Sequence, residues 1–357
     1  MMTKRKTELD VAKGLALLAV VLGHVIPLHG TFSNWIFSFH MPAFFFLTGM
    51  TFRPEKYAGF GMFVRDKWKK RIIPYFVIVF VGFVICMLRP SYRAPVLNDG
   101  WKYQLLWIFY YARPMNLYIG QSWYLVALFM AELVAYGWLR LFDSAAFEKK
   151  GQDGELIPDI RRRPALKWWS LLILAWAAVL IPRYIPWIPV VYRLPWKIDS
   201  GLCGAVFVLA GYGAAKIGLP EKMKPWAIHL FPVFLCLSYF FGPCLFGHSN
   251  ICECLYPAAP YYYAAAFSGI AALLMAAVIL NRSRFWQFCG RYTLPMFAAQ
   301  TFAIYFVTEA VWKVTGVWWE PMQQVPGKLG CIMITLAAFG LMVVFVLPWH
   351  VYKKKNS

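Results

Sequence analysis

Ten stretches of this chain are long and apolar enough to cross a lipid bilayer, at residues 11–28, 35–52, 72–88, 121–141, 168–186, 200–217, 226–242, 259–280, 293–312 and 329–350. A hydrocarbon core about 30 Å thick takes roughly 20 helical residues. Inside it, every backbone N–H and C=O must be bonded within its own segment. The expected fold is therefore all-α: a polytopic integral membrane protein of about ten transmembrane helices in a single bundle. One transmembrane domain is expected over residues 1–357. The composition, 61% hydrophobic and only 15% charged, suits a membrane protein better than a large soluble core. A shorter apolar stretch, Gln104 to Ala112, is about half the length needed to cross and is expected to be re-entrant or interfacial, ended by Arg113-Pro114.

The chain holds 36 Lys and Arg against 16 Asp and Glu, a net charge of +20. In a soluble protein that balance would suggest nucleic acid. Here 26 of the 36 basic residues fall in alternate loops. The positive-inside rule then explains the charge, with lipids rather than nucleic acid as the partner. It puts both termini and the 143–167 loop in the cytoplasm and 243–258 outside. Asp143 to Lys167 reads as a polar cytoplasmic linker. Lys4-Arg5-Lys6 before an apolar run imitates a signal peptide, but no small-x-small site follows His24, so the segment is expected to be retained as the first span. Trp187, Trp196, Trp318 and Trp319 crowd the helix ends, as interfacial belts do.

The hairpin from Leu9 to Met50 carries ionisable groups that a span normally avoids: Asp10, Lys13, His24 and His40. At about 100° per residue, Lys13 and His24 differ by roughly 20° around the helix axis, and Asp10 and His24 by roughly 40°. They share one stripe, with Asp10 and His24 about 21 Å apart along it. Ionisable groups at membrane depth are costly and mark function by default. His40 approaches from the second span, where it can orient His24, bind a substrate or close the turn. Glu132 lies mid-span in the fourth helix, and Glu309 and Gln300 lie in the ninth. His29 belongs to the outer loop, and His229, His248 and His350 carry no assigned role.

Arg65, Lys67, Lys69, Lys70 and Arg71 form a dense basic run that serves either topology or an anionic ligand. Five of the eight cysteines fall in or beside apolar spans, where thiols pack. Cys244, Cys252 and Cys254 cluster in one loop, and a disulfide from Cys252 or Cys254 to Cys244 is expected if that loop meets an oxidising compartment. The spacing suits no metal, and there is no Gly-x-Ser-x-Gly elbow, His-Glu-x-x-His or phosphate loop. Gly211-Tyr212-Gly213 lies inside a span and reads as a packing surface.

Asp10-x-x-Lys13-Gly14 followed after ten residues by His24 resembles the signature of the membrane acyltransferase-3 family. Phe39-His40-Met41-Pro42, running on to Leu47-Thr48-Gly49, is similar to the family's fucose 4-O-acetylase-like branch. The basic run before Ile72-Ile73-Pro74-Tyr75, then Trp123-Tyr124-Leu125 and Gly290-Arg291-Tyr292-Thr293-Leu294-Pro295, also fit. The departure is Gln300, where the family has a histidine. The resemblance implies a bacterial inner-membrane enzyme that carries acetyl from cytoplasmic acetyl-CoA to a sugar hydroxyl of a cell-surface glycan or lipid-linked precursor. It implies His24 as general base, an imidazole whose ordinary pKa of about 6.5 suits the task. Asp10 and Lys13 would support the site, with His40 and Glu132 as further candidates. Lys67, Lys69, Lys70 and Arg71 would meet the coenzyme A phosphates. The rival readings are an exporter of a lipid-linked sugar, which should show inverted repeats or paired broken helices, and a non-catalytic member, suggested by Gln300.

Overall fold

A computed structural model describes residues 7–355 except 29, 90–97, 99, 115–118, 144–163, 185–192, 246, 257 and 325–326. Lys4-Arg5-Lys6, His29, Trp187 and most of the 143–167 linker lie outside the described residues. The linker's described ends are joined: Lys167 Nζ meets Asp143 Oδ2 at 2.7 Å, and Trp138 Nε1 donates to Ser170 Oγ at 3.1 Å.

The described residues are predominantly helical, with no β-structure beyond one antiparallel bridge, Asn250 to Leu255. The α-helices among the described residues include α1 Thr7–Val25, α2 Thr31–Met50, α3 Phe60–Lys67, α4 Ile73–Leu88, α5 Trp101–Leu105, α6 Trp123–Phe142, α7 Pro164–Tyr184, α8 Ile198–Lys216, α9 Leu219–Met223, α10 Ala227–Tyr239, α11 Ala259–Ile279, α12 Arg284–Arg291, α13 Thr293–Thr315 and α14 Gly327–Lys355. Among the described residues, seven helical stretches are long and apolar enough to cross a membrane: Phe60–Leu88, Gly120–Phe142, Pro195–Lys216, Leu219–Cys244, Ala259–Ile279, Thr293–Thr315 and Gly327–Tyr352. They coincide with seven of the ten expected spans. The other three expected spans are also helices, α1, α2 and α7. α1 carries Glu8, Asp10 and Lys13 within its nineteen residues, which lowers its apolar character.

Two boundaries differ from the sequence expectation. The third span begins at Phe60 rather than residue 72, because the basic run is itself helical. It passes through a widened π turn, Trp68–Ile72, between α3 and α4. The half-length stretch forms α5 and continues as a second π turn, Leu106–Tyr110. Those ten residues rise about 15 Å, half a bilayer. Ala112, at φ 48°, breaks the helix there.

The chain forms two compact units. The first comprises residues 1–47, 217–250 and 255–357; the second comprises 48–216 and 251–254. In the first unit α1 is central, packed by α11, α12, α13 and α14. Its buried residues include Val11, Ala12, Gly14, Ala16, Leu17, Val20, Val21 and Gly23, small or apolar on every side, as a helix surrounded by protein requires. Two glycines allow the closest approach. A Cβ on Gly14 would sit 2.7 Å from the Trp286 carbonyl oxygen, and one on Gly290 would collide with the Asp10 carbonyl. Ser283 caps α12 by accepting the Trp286 N–H at 3.4 Å, so the Gly290-Arg291-Tyr292 segment is held against the Asp10 end of α1.

In the second unit α6 packs on α8, and α3 to α4 pack on α6. A Cβ on Gly201 would meet Met130 Cβ at 2.5 Å, which explains glycine at that helix crossing.

Candidate active site

α1 runs unbroken from Thr7 to Val25, so Asp10, Lys13 and His24 share one helix as the spacing required. Asp10 is buried and Lys13 half-buried in the first unit. The other end of α1 is pinned by the loop after α13. Leu28 N–H donates to the Met322 carbonyl at 2.9 Å, and Met322 N–H donates to Val25 at 3.4 Å. Glu320 holds that loop by accepting from Tyr305 Oη at 2.8 Å and Trp318 Nε1 at 3.0 Å.

His24 Nδ1 lies 2.8 Å from the Val20 carbonyl oxygen, and His40 Nδ1 lies 2.7 Å from that of Ile36. A carbonyl only accepts, so each Nδ1 carries a proton and donates it back one helical turn. In the neutral ring each Nε2 then holds the lone pair, and it makes no hydrogen bond among the described residues. Backbone bonds thus set both tautomers without a carboxylate partner. The two rings converge on Phe37. His24 stands 6.4 Å from its centroid and His40 stands 5.0 Å away, edge to face. His40, 1% exposed, is the more deeply enclosed of the two.

A third imidazole meets the same phenyl ring. His248 lies 5.6 Å from Phe37, and its Nδ1 is 2.9 Å from Asn34 Oδ1. Sequence reasoning gave His248 no role, because a loop histidine more than two hundred residues away in the chain has no local link to α2. A polar Asn34 inside an apolar helix was the available signal.

Glu132, Lys67 and Arg71 form one cluster in the second unit. Glu132 is fully buried; its Oε1 accepts from Lys67 Nζ at 2.7 Å and its Oε2 from Arg71 Nε at 3.0 Å. Arg71 Nη2 adds a contact to Oε1 at 3.2 Å. Lys67 Nζ also sits over the rings of Phe52 and Phe63, at 5.2 and 5.4 Å. The basic run therefore splits. Lys67 and Arg71, four apart, turn inward, while Lys69 and Lys70 are exposed. Lys70 pairs with Asp66 at 2.8 Å, and Asp66 also accepts the Tyr57 hydroxyl at 2.6 Å. Burial first, and then this bond to a carboxylate, raise the Tyr57 pKa and keep the phenol a donor.

Gln300 is fully buried in α13, and neither its Nε2 nor its Oε1 has a hydrogen-bond partner among the described residues. The expected Cys244 disulfide does not form, since all eight cysteines are thiols. Cys244 is in the first unit, and Cys252 and Cys254 are in the second, held by a cationic set. Arg193 donates to the Cys252 carbonyl at 3.1 Å, to Cys254 Sγ at 2.9 Å and to the Glu253 carbonyl, and pairs with Asp199 at 2.8 Å. Lys197 Nζ donates to the Cys252 carbonyl at 3.1 Å, and Arg113 pairs with Glu253 at 3.1 Å.

The described residues thus combine apolar helices of spanning length with two imidazoles bonded to their own helix in one unit and a buried Glu132–Lys67–Arg71 cluster in the other. The chain belongs to the acyltransferase-3 family: the family model described as an acyltransferase domain matches residues 6–352, nearly the whole chain. It is a membrane acyltransferase. No curated protein and no solved structure matches it significantly.

Proposed function

We propose that this acyltransferase takes an acetyl group from cytoplasmic acetyl-CoA and places it on a sugar hydroxyl of a cell-surface glycan or its lipid-linked precursor, with His24 as general base. The observation that carries this reading is the Nδ1 bond from His24 to Val20 at 2.8 Å, which leaves a basic Nε2 on a ring fixed in orientation. The acceptor hydroxyl gives its proton to Nε2 as its oxygen attacks the thioester carbonyl. The tetrahedral intermediate collapses with cleavage of the C–S bond. The imidazolium then returns the proton to the departing coenzyme A thiolate. His40, presented the same way, orients the acceptor or stands in as a second base.

Donor binding falls to the second unit. One carboxylate, Glu132, faces two cations, Lys67 and Arg71, so the cluster carries one surplus positive charge; exposed Lys69 adds another, while exposed Lys70 is paired with Asp66. A coenzyme A diphosphate complements that surplus. Asp10 and Lys13 support the cytoplasmic end of α1. The setting proposed is a bacterial inner membrane with both termini cytoplasmic; a cysteine placed at Ser144 should resist labelling from outside intact cells.

The test uses protein reconstituted in vesicles with labelled acetyl-CoA and methyl glycosides of common hexoses. Wild type should transfer label to sugar and His24→Ala should not, while inserting normally. Near-normal transfer by His24→Ala would overturn the assignment of the base.

A further inference from the structure

The Phe37 ring gathers three imidazoles, and only two belong to the α1–α2 hairpin. The third, His248, is delivered by the segment after α10. Gly247, at φ 70°, makes the turn that a side chain would strain. Paired backbone bonds between Asn250 and Leu255, at 3.0 and 2.9 Å, close the loop just beyond. His248 is thus held at a defined place on α2 rather than trailing from a helix end.

Its partner matters as much. Asn34 is 8% exposed, and its Oδ1 takes the His248 Nδ1 proton. That orientation turns the Asn34 Nδ2 amide, two donors, away from the imidazole, and Nδ2 makes no hydrogen bond among the described residues. Next in sequence, Ser249 holds a buried hydroxyl with no partner among the described residues. A buried donor left unmet, as at Ser249, costs free energy that a bound hydroxyl-rich ligand recovers. A sugar hydroxyl both donates and accepts, so an amide donor beside imidazoles grouped around one phenyl ring suits it in both respects.

We propose that Asn34 and His248 form an acceptor-recognition subsite, binding a sugar hydroxyl beside the one that His24 deprotonates. Asn34 Nδ2 donates to that neighbouring hydroxyl, and His248 is a positioning residue that fixes the amide. The subsite rests on the reading of the acceptor as a sugar and assigns it a named contact.

Asn34→Asp separates recognition from scaffolding. It keeps an oxygen for the His248 Nδ1 proton but removes the Nδ2 donor. Acceptor dependence is measured in vesicles with labelled acetyl-CoA and the methyl glycosides of glucose, galactose, mannose and fucose. For the best of these, Asn34→Asp and His248→Ala should each raise the acceptor KM about tenfold, with little change in the acetyl-CoA KM. His248→Gln, which can still donate to Asn34, should recover part of the loss. Thermal unfolding in detergent checks each variant. An Asn34→Asp protein with wild-type acceptor KM overturns the proposal, as does an equal rise in the donor KM. If wild type labels none of the glycosides, the sugar reading itself fails, and the subsite with it.

Discussion

Two buried polar clusters, one in each unit, are handled in opposite ways. In the first, His24 and His40 are each tied by one nitrogen to their own helix, and the second nitrogen is unbonded among the described residues; Gln300 keeps its amide unmet as well. In the second, Glu132 receives three charge-assisted bonds from Lys67 and Arg71, with no acceptor oxygen left over. A group with an unused lone pair can act on a ligand. A fully engaged ion cluster holds its shape and projects net charge. Buried ion pairs of this kind are weak sources of stability, yet costly to break. The contrast shifts Glu132 from acid–base candidate to anchor of the two cations.

The sharpest way to break this comparison is His24→Ala. Loss of a general base should slow acetyl transfer about 10²–10⁴-fold with insertion and folding retained. His24→Gln should stay slow, because an amide bonds hydrogen but does not carry a proton at neutral pH. Transfer rates with labelled acetyl-CoA decide it, and a near-normal His24→Gln rate would remove the distinction drawn between the two clusters.

Glu132→Ala should act the other way, on stability before chemistry. It strands Lys67 and Arg71 in a buried setting at a cost of about 3–5 kcal/mol. Unfolding in detergent and yield of inserted protein are the measurements, and Glu132→Gln should lie between wild type and Ala. A stable Glu132→Ala protein without activity would return Glu132 to the catalytic group.

Gln300→Met tests the unmet amide. If Gln300 serves a ligand, apolar replacement should lower transfer while removing about 1–3 kcal/mol of unsatisfied burial, raising thermal stability. Raised stability with unchanged transfer would make Gln300 a structural remnant. The smallest effect is expected from Lys69→Gln with Lys70→Gln. Exposed charges contribute about 0.2–1 kcal/mol per contact, so the acetyl-CoA KM should rise a few-fold and the difference should shrink in high salt. An unchanged donor KM at low salt would reduce the pair to topology.

Much of the fold was legible in the chain because bilayer chemistry leaves few options. Apolar runs of spanning length become helices, and the polar stripe on α1 follows from helical period alone. The half-length stretch was also legible, since length decides whether a helix can cross. The start of the third span was not, because basic residues that look like a loop continue a helix when a buried carboxylate receives two of them. The Cys244 disulfide failed for a related reason: nearness in sequence did not reveal that Arg193 and Lys197 take up the neighbouring thiols and carbonyls.

By itself, then, the sequence determined an all-helical membrane protein, the helix on which Asp10, Lys13 and His24 align, and a second histidine able to approach the first. Those features depend on local period and hydropathy, which neighbours in the chain settle. The tertiary structure decided that Glu132 belongs with Lys67 and Arg71, that Gly14 and Gly290 exist to let α1 and α12 touch, and that His248 joins His24 and His40 on one phenyl ring. Each of these joins residues sixty or more positions apart. Such partners are selected by packing and by the need to satisfy buried charge and hydrogen bonds, which no local pattern encodes.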